Sequence, residues 1–314
     1  MPDFLVSRSG QINAEGGDRE LFLKVFGGEV MTAFRRKTAF AERHRVRQIA
    51  HGKSAQFPAT GRIGTRNHTP GTKIDGQSVN HNEQVITIDD KLIADVFIAD
   101  VDEAMNHYDV RSEYSFQCGE ALAQHYDKNV ARVGVQAARS ENPVDDLPGG
   151  STIVAADVDS DSDVLGEALF SAQQNFDEKD VPENDRFAFV KPAQFYSLAQ
   201  NKTYINRDYD GAGSISKGTI YTVGGLPIIK TNNLADEDDT SNDDIHEKYR
   251  DDFSGVTALV MNRQAVGTVK LMDLGVEMEY QMPYQGTLIV AKYLVGHGVL
   301  RPDCAVEIRP DELA

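Results

Sequence analysis

The stretch 52–93 constrains this chain more than any other. Lys53-Ser54-Ala55-Gln56-Phe57-Pro58 opens it as a strand, and Glu83-Gln84-Val85-Ile86-Thr87-Ile88 closes it with β-branched residues. Between them Gly61, Gly64, Asn67, Pro70, Gly71 and Gly76 punctuate a run with almost no large apolar residue except Ile63 and Ile74. Turn formers between two β-prone segments predict a long hairpin with a flexible tip. Too little apolar surface lies beyond its root to build a separate body, so the arm projects from a parent domain and needs a partner to lie on.

Charge sharpens that expectation. The 314 residues, enough for about two domains or one large domain with insertions, carry 32 Lys and Arg against 49 Asp and Glu, a net charge of −17. Such a chain is not built to wrap duplex nucleic acid by neutralising phosphates. Yet Arg35, Arg36, Lys37, Arg43, Arg45, Arg47, Lys53, Arg62, Arg66 and Lys73 follow one another with only Glu42 opposing them. Two acidic tracts balance this stretch, one from Glu141 to Asp185 and one from Asp236 to Asp252. The second reads as a solvated loop; the sharper reading sets one copy's basic arm on another copy's acidic surface. A hydrophobic fraction of 40% suffices for a core. Cys118 and Cys304 make no framework and fit a reducing compartment. With no signal-like N-terminus and no run of about 18 apolar residues, a soluble intracellular protein is expected, with no membrane partner.

Periodicity supplies the other elements. Phe22, Phe26, Val30 and Phe34 recur every four residues, an amphipathic helix over 20–36 that Gly27-Gly28 weakens. Residues 100–140 predict one long helix with Asp100 and Glu103 as capping box and Met105, Tyr108, Ser112, Ser115, Gly119, Leu122, Tyr126, Val130, Val133 and Ala137 facing inward. It is longer than a compact domain needs, and Ser112, Ser115 and Gly119 leave a shallow groove where another element can approach. A helix over 164–176 capped by Ser162 or Asp163, strands over 186–190, 219–223, 226–230 and 256–261, and a helix over 192–199 make an α+β lobe. Strands over 268–274, 276–282, 287–294 and 304–308 follow, broken by Pro283 and Pro302.

Motifs for catalysis fail on inspection. Gly52-Lys53-Ser54 is the tail of a phosphate loop, but the first glycine falls at Arg47. Gly296-His297-Gly298 opens a dinucleotide fingerprint whose third glycine is Arg301, and reads as a tight turn between strands. The acidic run from Asp157 to Asp163 has Ser162 and Ala168 where a calcium loop needs Gly and Glu. The eight histidines form no zinc signature, and no nucleophile elbow is present. No catalytic residue, cofactor or metal is assigned.

Specific strings carry more. Residues Glu20 to Val30, Gly52 to Pro58, Val85 to Asp89 and Glu103 to Tyr114, then Ala265 to Leu271, Ala291-Lys292-Tyr293, Gly296-His297-Gly298 and Leu300-Arg301-Pro302, resemble the major capsid protein of T-seven-like short-tailed phages, in that family's order. The resemblance spans about 20–140 and 256–309.

It implies the Hong-Kong-97-like capsid fold, α+β, with an N-terminal arm at 1–51, an E-loop hairpin at 52–93, a P-domain with spine helix at 94–145, an A-domain at 146–262, and returning P-domain strands with the C-terminus at 263–314. It implies a major coat protein that assembles with itself into pentamers and hexamers, an icosahedral shell enclosing double-stranded DNA without tight sequence-specific binding. The shell would be guided by a scaffolding protein, joined at one vertex to a portal protein, assembled in the bacterial cytoplasm and kept in the virion. Lys53, Arg62, Arg66, Lys73, Phe57, Ile86 and Ile88 are the expected contacts between subunits, and Phe22, Phe26, Arg35 and Arg36 the expected scaffold or inner-face contacts. Alternatives are another virion protein, an encapsulin-like compartment shell, and a nucleotide-binding enzyme using Gly52-Lys53-Ser54.

Overall fold

The computed structural model describes residues 29–34, 38–99, 110–145, 147–201, 213–214, 219–220 and 222–311. After a helical segment at 29–34 come β1 (Arg45–Gln48), β2 (Ser54–Thr60), β3 (His81–Thr87), β4 (Leu92–Ala99), α1 (Val110–Arg139), β5 (Ser151–Val154), α2 (Ser162–Glu178), β6 (Arg186–Val190) and α3 (Pro192–Gln200). The chain continues through β7 (Gly213–Ser214), β8 (Thr219–Ile220), β9 (Thr222–Val223), β10 (Leu226–Lys230), β11 (Ala258–Asn262), β12 (Val266–Gln281), β13 (Gly286–Val299) and β14 (Ala305–Arg309). Two units emerge, one from 1–38, 90–125 and 272–294, the other from 39–89, 126–271 and 295–314.

The second, larger unit is organised by a six-stranded sheet in the order β5-β14-β11-β6-β10-β9. Every residue of β11 and β14 is buried. Strand β11 runs antiparallel to both β14 and β6, while β10 joins β6 in parallel. Helix α2 turns Leu165, Ala168, Leu169, Ala172 and Phe176 inward, the three-and-four spacing of an amphipathic helix, and packs against α3 and β5. Its N-cap is Asp161, whose side chain accepts from the Asp163 amide at 2.8 Å. The cap therefore falls one residue earlier than the sequence suggested, and a carboxylate of the acidic run is spent on an orphan helix N–H. In the same unit Phe40 is fully buried and stacks on Phe189 at 4.0 Å, and β1 pairs in parallel with the start of β12, Arg45 opposite Gly267.

In the first unit β4 runs antiparallel to β13, Leu92 opposite Tyr293 and Ala99 opposite Gly286. Met282–Tyr284 form a single 3-10 turn containing Pro283, and Gln285 follows it in the left-handed region. The N-terminal half of α1 meets helical residues 29–34 at the groove foreseen from its small residues. Ser115 donates to the Glu29 carboxylate at 2.7 Å, and a Cβ on Gly119 would stand 2.5 Å from the Val30 carbonyl oxygen and 2.8 Å from the Ala33 Cβ. Val30 is fully buried and Phe34 packs edge-on against Tyr293, 6.2 Å between centroids.

Three readings need correction. Gly296-His297-Gly298 is not a turn but lies inside β13. The strands expected at 268–274 and 276–282 are one strand of 16 residues, because Gly275 sits in extended backbone and breaks nothing. The Asp236 to Asp252 tract is solvated at Asp236, Glu237, Asp238, Asp243, Asp244 and Glu247 but tied down at points between them. Asp239, Tyr249 and Phe253 are buried, and Arg132 and Arg139 of α1 draw its acids inward, as shown below. Strand β14 pairs with β11 and β5 in the six-stranded sheet. The capping residues Asp100 and Glu103, with Met105 and Tyr108, lie outside the described residues.

Close approach at Gly119 makes a clear expectation. Gly119→Leu forces the 29–34 segment off the helix and should destabilise the full-length chain by about 1–3 kcal/mol, read from the urea midpoint of unassembled protein. Gly76→Ala, whose Cβ would meet nothing within 4 Å, should leave that midpoint in place.

Candidate assembly interface

The hairpin of β2 and β3 is paired antiparallel from Ser54 opposite Thr87 to Thr60 opposite His81. Its root has alternating burial: Ala55, Phe57 and Ile86 turn into a cluster with Val269 and Leu300, flanked by Ile49 and Ile88. Glycines clear the space. A Cβ on Gly298 would lie 2.8 Å from the Ile86 Cγ1, one on Gly267 would lie 2.9 Å from the Ile86 Cδ1, and one on Gly296 would strike the Thr87 carbonyl. Polar contacts lock the same corner. Ile88 N–H donates to the Lys53 carbonyl at 2.9 Å and Asp89 N–H to the Val295 carbonyl at 3.1 Å. Lys248 pairs with Asp89 and donates to the Thr87 carbonyl at 2.9 Å, and the Tyr249 hydroxyl donates to Asp89. Burial raises the Asp89 carboxyl above its usual range, against the pull of Lys248 and Tyr249. Beyond this root, residues 62–78 are exposed throughout, with Ile63 and Ile74 at 71% and 70% of their full exposure.

The chain enters this corner through a second anchor. Asp127 of α1 accepts from the Ala39 amide at 2.6 Å and the Phe40 amide at 3.2 Å. His44 gives its Nδ1 proton to the Phe40 carbonyl at 2.7 Å, while Nε2 faces the hydroxyls of Tyr126 at 3.0 Å and Thr268 at 2.8 Å. Thr268 also reaches His297 Nδ1 at 2.7 Å. Desolvation is the main cause of both shifts here. It pushes the His44 imidazole down from 6.5 to about 4, helped by the Lys270 and Arg263 charges, and the Asp127 carboxyl up from 3.8 to about 6 despite its amide donors.

Two arginines on the C-terminal half of α1 hold the acidic tract. Arg132 meets Asp239 through Nε at 2.9 Å and Nη2 at 2.8 Å. Arg139 grips Glu307 with two parallel bonds of 2.7 Å and donates to the Asp252 carbonyl at 2.6 Å. Glu307 is wholly buried, so these are desolvated pairs whose rupture strands a charge. Sequence reading missed them because the partners lie 107 and 168 residues apart. It also missed the glycine bay, for which the alternating Gly296-His297-Gly298 within an apolar run was an available signal.

The expected contact residues divide. Phe57 and Ile86 are 7% and 2% exposed inside this chain's own cluster, where they seat the arm. Ile88 is half-buried beside them. Lys53, Arg62, Arg66 and Lys73 are exposed. Arg62 pairs with Asp180 at 2.7 Å, Lys73 with Asp75 at 3.3 Å, and Arg66 donates to the Asp75 carbonyl. Phe22, Phe26, Arg35 and Arg36 lie outside the described residues. Gly52 has φ of +113° and leads directly into β2, so Gly52-Lys53-Ser54 does not form the strand–loop–helix of a phosphate site. Among the described residues no group of three His, Cys, Asp or Glu is placed to hold a metal, and no helix is long and apolar enough to cross a membrane.

A hairpin buried at its root and exposed beyond it, carried by a unit with a six-stranded sheet, has its counterpart among phage capsid proteins, as the comparisons show. Residues 56–309 match the Gp10A-like family, major capsid protein, and the chain belongs to that family. It is 37% identical to the major capsid protein of Escherichia phage T7 over 93% of this chain and 92% of the relative. The capsid structure of cyanophage P-SCSP1u aligns with a TM-score of 0.81 at 45% identity, covering 99% of this chain and 100% of that one. The mature capsid of bacteriophage PhiM1, at 18% identity and covering 88% of each chain, shares the fold with a TM-score of 0.73. The protein is thus a structural subunit of a phage capsid, and its place is the virion.

His44 and Asp127 oppose each other in their pH dependence. A histidine lowered in the fold loses its stabilisation as pH falls from 6.5 towards 4; a carboxyl raised in the fold regains stability as pH falls from 6 towards 3.8. Each effect is on the order of 3 kcal/mol, and the two act in opposite directions. Asp127→Asn should steepen the acid loss of stability relative to the unsubstituted chain, and His44→Gln should reduce or reverse it. Urea midpoints between pH 4 and 7 check both, and parallel curves for the two variants would contradict the assignment.

Proposed function

We propose that this chain closes an icosahedral shell of pentamers and hexamers around double-stranded DNA, and that its hairpin arm lies on a neighbouring copy while catalysing nothing. The supporting observation is the contrast along one hairpin: a root buried in the chain's own core and a cationic outer part with no core of its own. A closed shell of identical subunits needs heterologous contacts, one surface meeting a different one, and an arm of this kind offers them. Its present ion pairs are exposed, worth 0–1 kcal/mol each, and exchange readily for carboxylates of another copy. In this reading residues 1–51 are the N-terminal arm, 52–93 the E-loop, 94–145 the spine-helix part of the P-domain, 146–262 the A-domain and 263–314 the returning strands and C-terminus. A scaffolding protein guides assembly through the apolar and basic residues around Phe22, Phe26, Arg35 and Arg36, and a portal protein occupies one vertex. A net charge of −17 keeps the wall from binding packaged DNA tightly.

Electron microscopy of the chain expressed with a scaffolding protein tests the reading, with closed icosahedral particles expected; tubes, tail-like fibres or isolated subunits would favour another virion role. Deleting Arg62 to Gly76 should leave a folded monomer, since little apolar area is lost, yet abolish closed particles. If charge pairing steers the encounter, the assembly rate of the full-length chain should fall as salt rises from 50 to 500 mM, concentrations chosen to cross a Debye length of about 8 Å. A flat response would assign the steering to apolar contacts.

A further inference from the structure

Beneath the hairpin root lies a cleft of about 260 Å³. Its apolar floor is made by Phe57 and Leu300, the seat described above, and the cations Arg45, Arg62 and Arg301 stand around it, with Asn142 and Leu147 on the far wall.

The cleft is held open by fixed walls. Asn82 of the hairpin donates to the Pro143 carbonyl at 2.5 Å, and Asn142 accepts from the Val144 amide at 3.1 Å while donating to the Pro148 carbonyl at 3.1 Å. Arg301 is occupied by Asp303, through Nε at 3.3 Å and Nη2 at 2.5 Å, and by Gln264 at 2.6 Å. Arg62 is occupied by Asp180 and by the Lys179 carbonyl at 3.0 Å. Arg45 differs. It belongs to β1, a strand exposed at all four positions, and among the described residues it has neither an ion pair nor a side-chain hydrogen bond. An arginine offers five donors in a planar fork suited to a carboxylate, and here it lines a cleft that also holds Phe57 and Leu300.

We propose that this cleft is a socket for a carboxylate-bearing segment of a second copy of this chain, gripped by Arg45. The inference rests on the shell reading. A second copy is the occupant that the charges favour, because acids outnumber bases by 49 to 32 and the segment around Arg45 is the cationic exception. The contact is heterologous, socket to acidic segment, so each copy can present both halves and the contact can propagate around a ring.

Shells assembled from an equal mixture of isotopically heavy and light Arg45→Lys chains, treated with a carbodiimide, test this. The introduced amine should form an amide with a carboxylate, and mass spectrometry should find heavy–light pairs in shells that are absent from dissociated subunits. Cross-links only within one chain, or only to a co-expressed scaffolding protein, would overturn the proposal. Arg45→Glu should lower the yield of closed shells about tenfold or more, since like charges across an interface are strongly disfavoured. An electron cryomicroscopy map of shells built from the unsubstituted chain gives a readout independent of any variant. Density from a neighbouring copy within the cleft is expected, and a cleft filled only by solvent would refute the socket while leaving the shell reading intact. Failure of the unsubstituted chain to form shells at all would instead refute that reading, and the socket with it.

Discussion

Ile86, pressed into the bay that Gly267 and Gly298 leave open, seats the root of the hairpin whose outer part is residues 61–80 on the body of the chain. The arm beyond it has no core, so any load placed on the tip is resisted at the root. Burying Ile86 and Phe57 contributes about 1.5–3 kcal/mol each, and the Lys248, Tyr249 and Asp89 contacts fix the direction in which the hairpin leaves. The three glycines make this possible because side chains there would occupy the same space as the hairpin. They are small for a reason of packing, and the backbone at Gly296 and Gly298 is ordinary strand.

Charge in this chain does two kinds of work, and burial separates them. Arg132 and Arg139 pair with Asp239 and Glu307 away from water, where geometry is enforced and a lost partner is costly. Arg62 and Lys73 pair at the surface, where side-chain entropy and solvent nearly cancel the attraction. The first kind holds Asp239 and the Asp252 carbonyl against α1. The second leaves cations that can change partners without unfolding anything, which is what the role proposed for the arm requires.

The amount legible in the sequence follows from the range of the interactions. Helix α1 was readable because Leu122, Tyr126, Val130, Val133 and Ala137 repeat within a few residues, and the groove at Gly119 because small residues on such a face have few other uses. The hairpin was readable from its turn formers and from its lack of apolar residues. The seating role of Phe57 and Ile86 was not legible, because an apolar residue on such an arm looks the same in sequence whether it seats the arm or meets a neighbour; the position of Leu300 and Val269 shows the seat. Within the acidic tract Asp239 was missed for a similar reason. Local composition favours solvent, but the cations that overrule it sit far away on α1, and an i-to-i+107 pairing leaves no periodic trace.

These features bear on how an anionic subunit can associate with itself. With 17 more acidic than basic side chains per copy, the field at a distance is repulsive, but at physiological salt it decays over about 8 Å. At contact the local arrangement governs, and a cationic segment displayed on an arm and around the Arg45 cleft presents the opposite sign where it can touch. Concentrating the cations in one stretch rather than spreading them keeps both halves of the balance: repulsion between copies wrongly oriented, and attraction where the arm or the cleft meets an acidic face. An even mixture of charges over the same surface would give the same net charge and lose that discrimination, so under the proposed shell reading the order of charges along the chain matters as well as their sum.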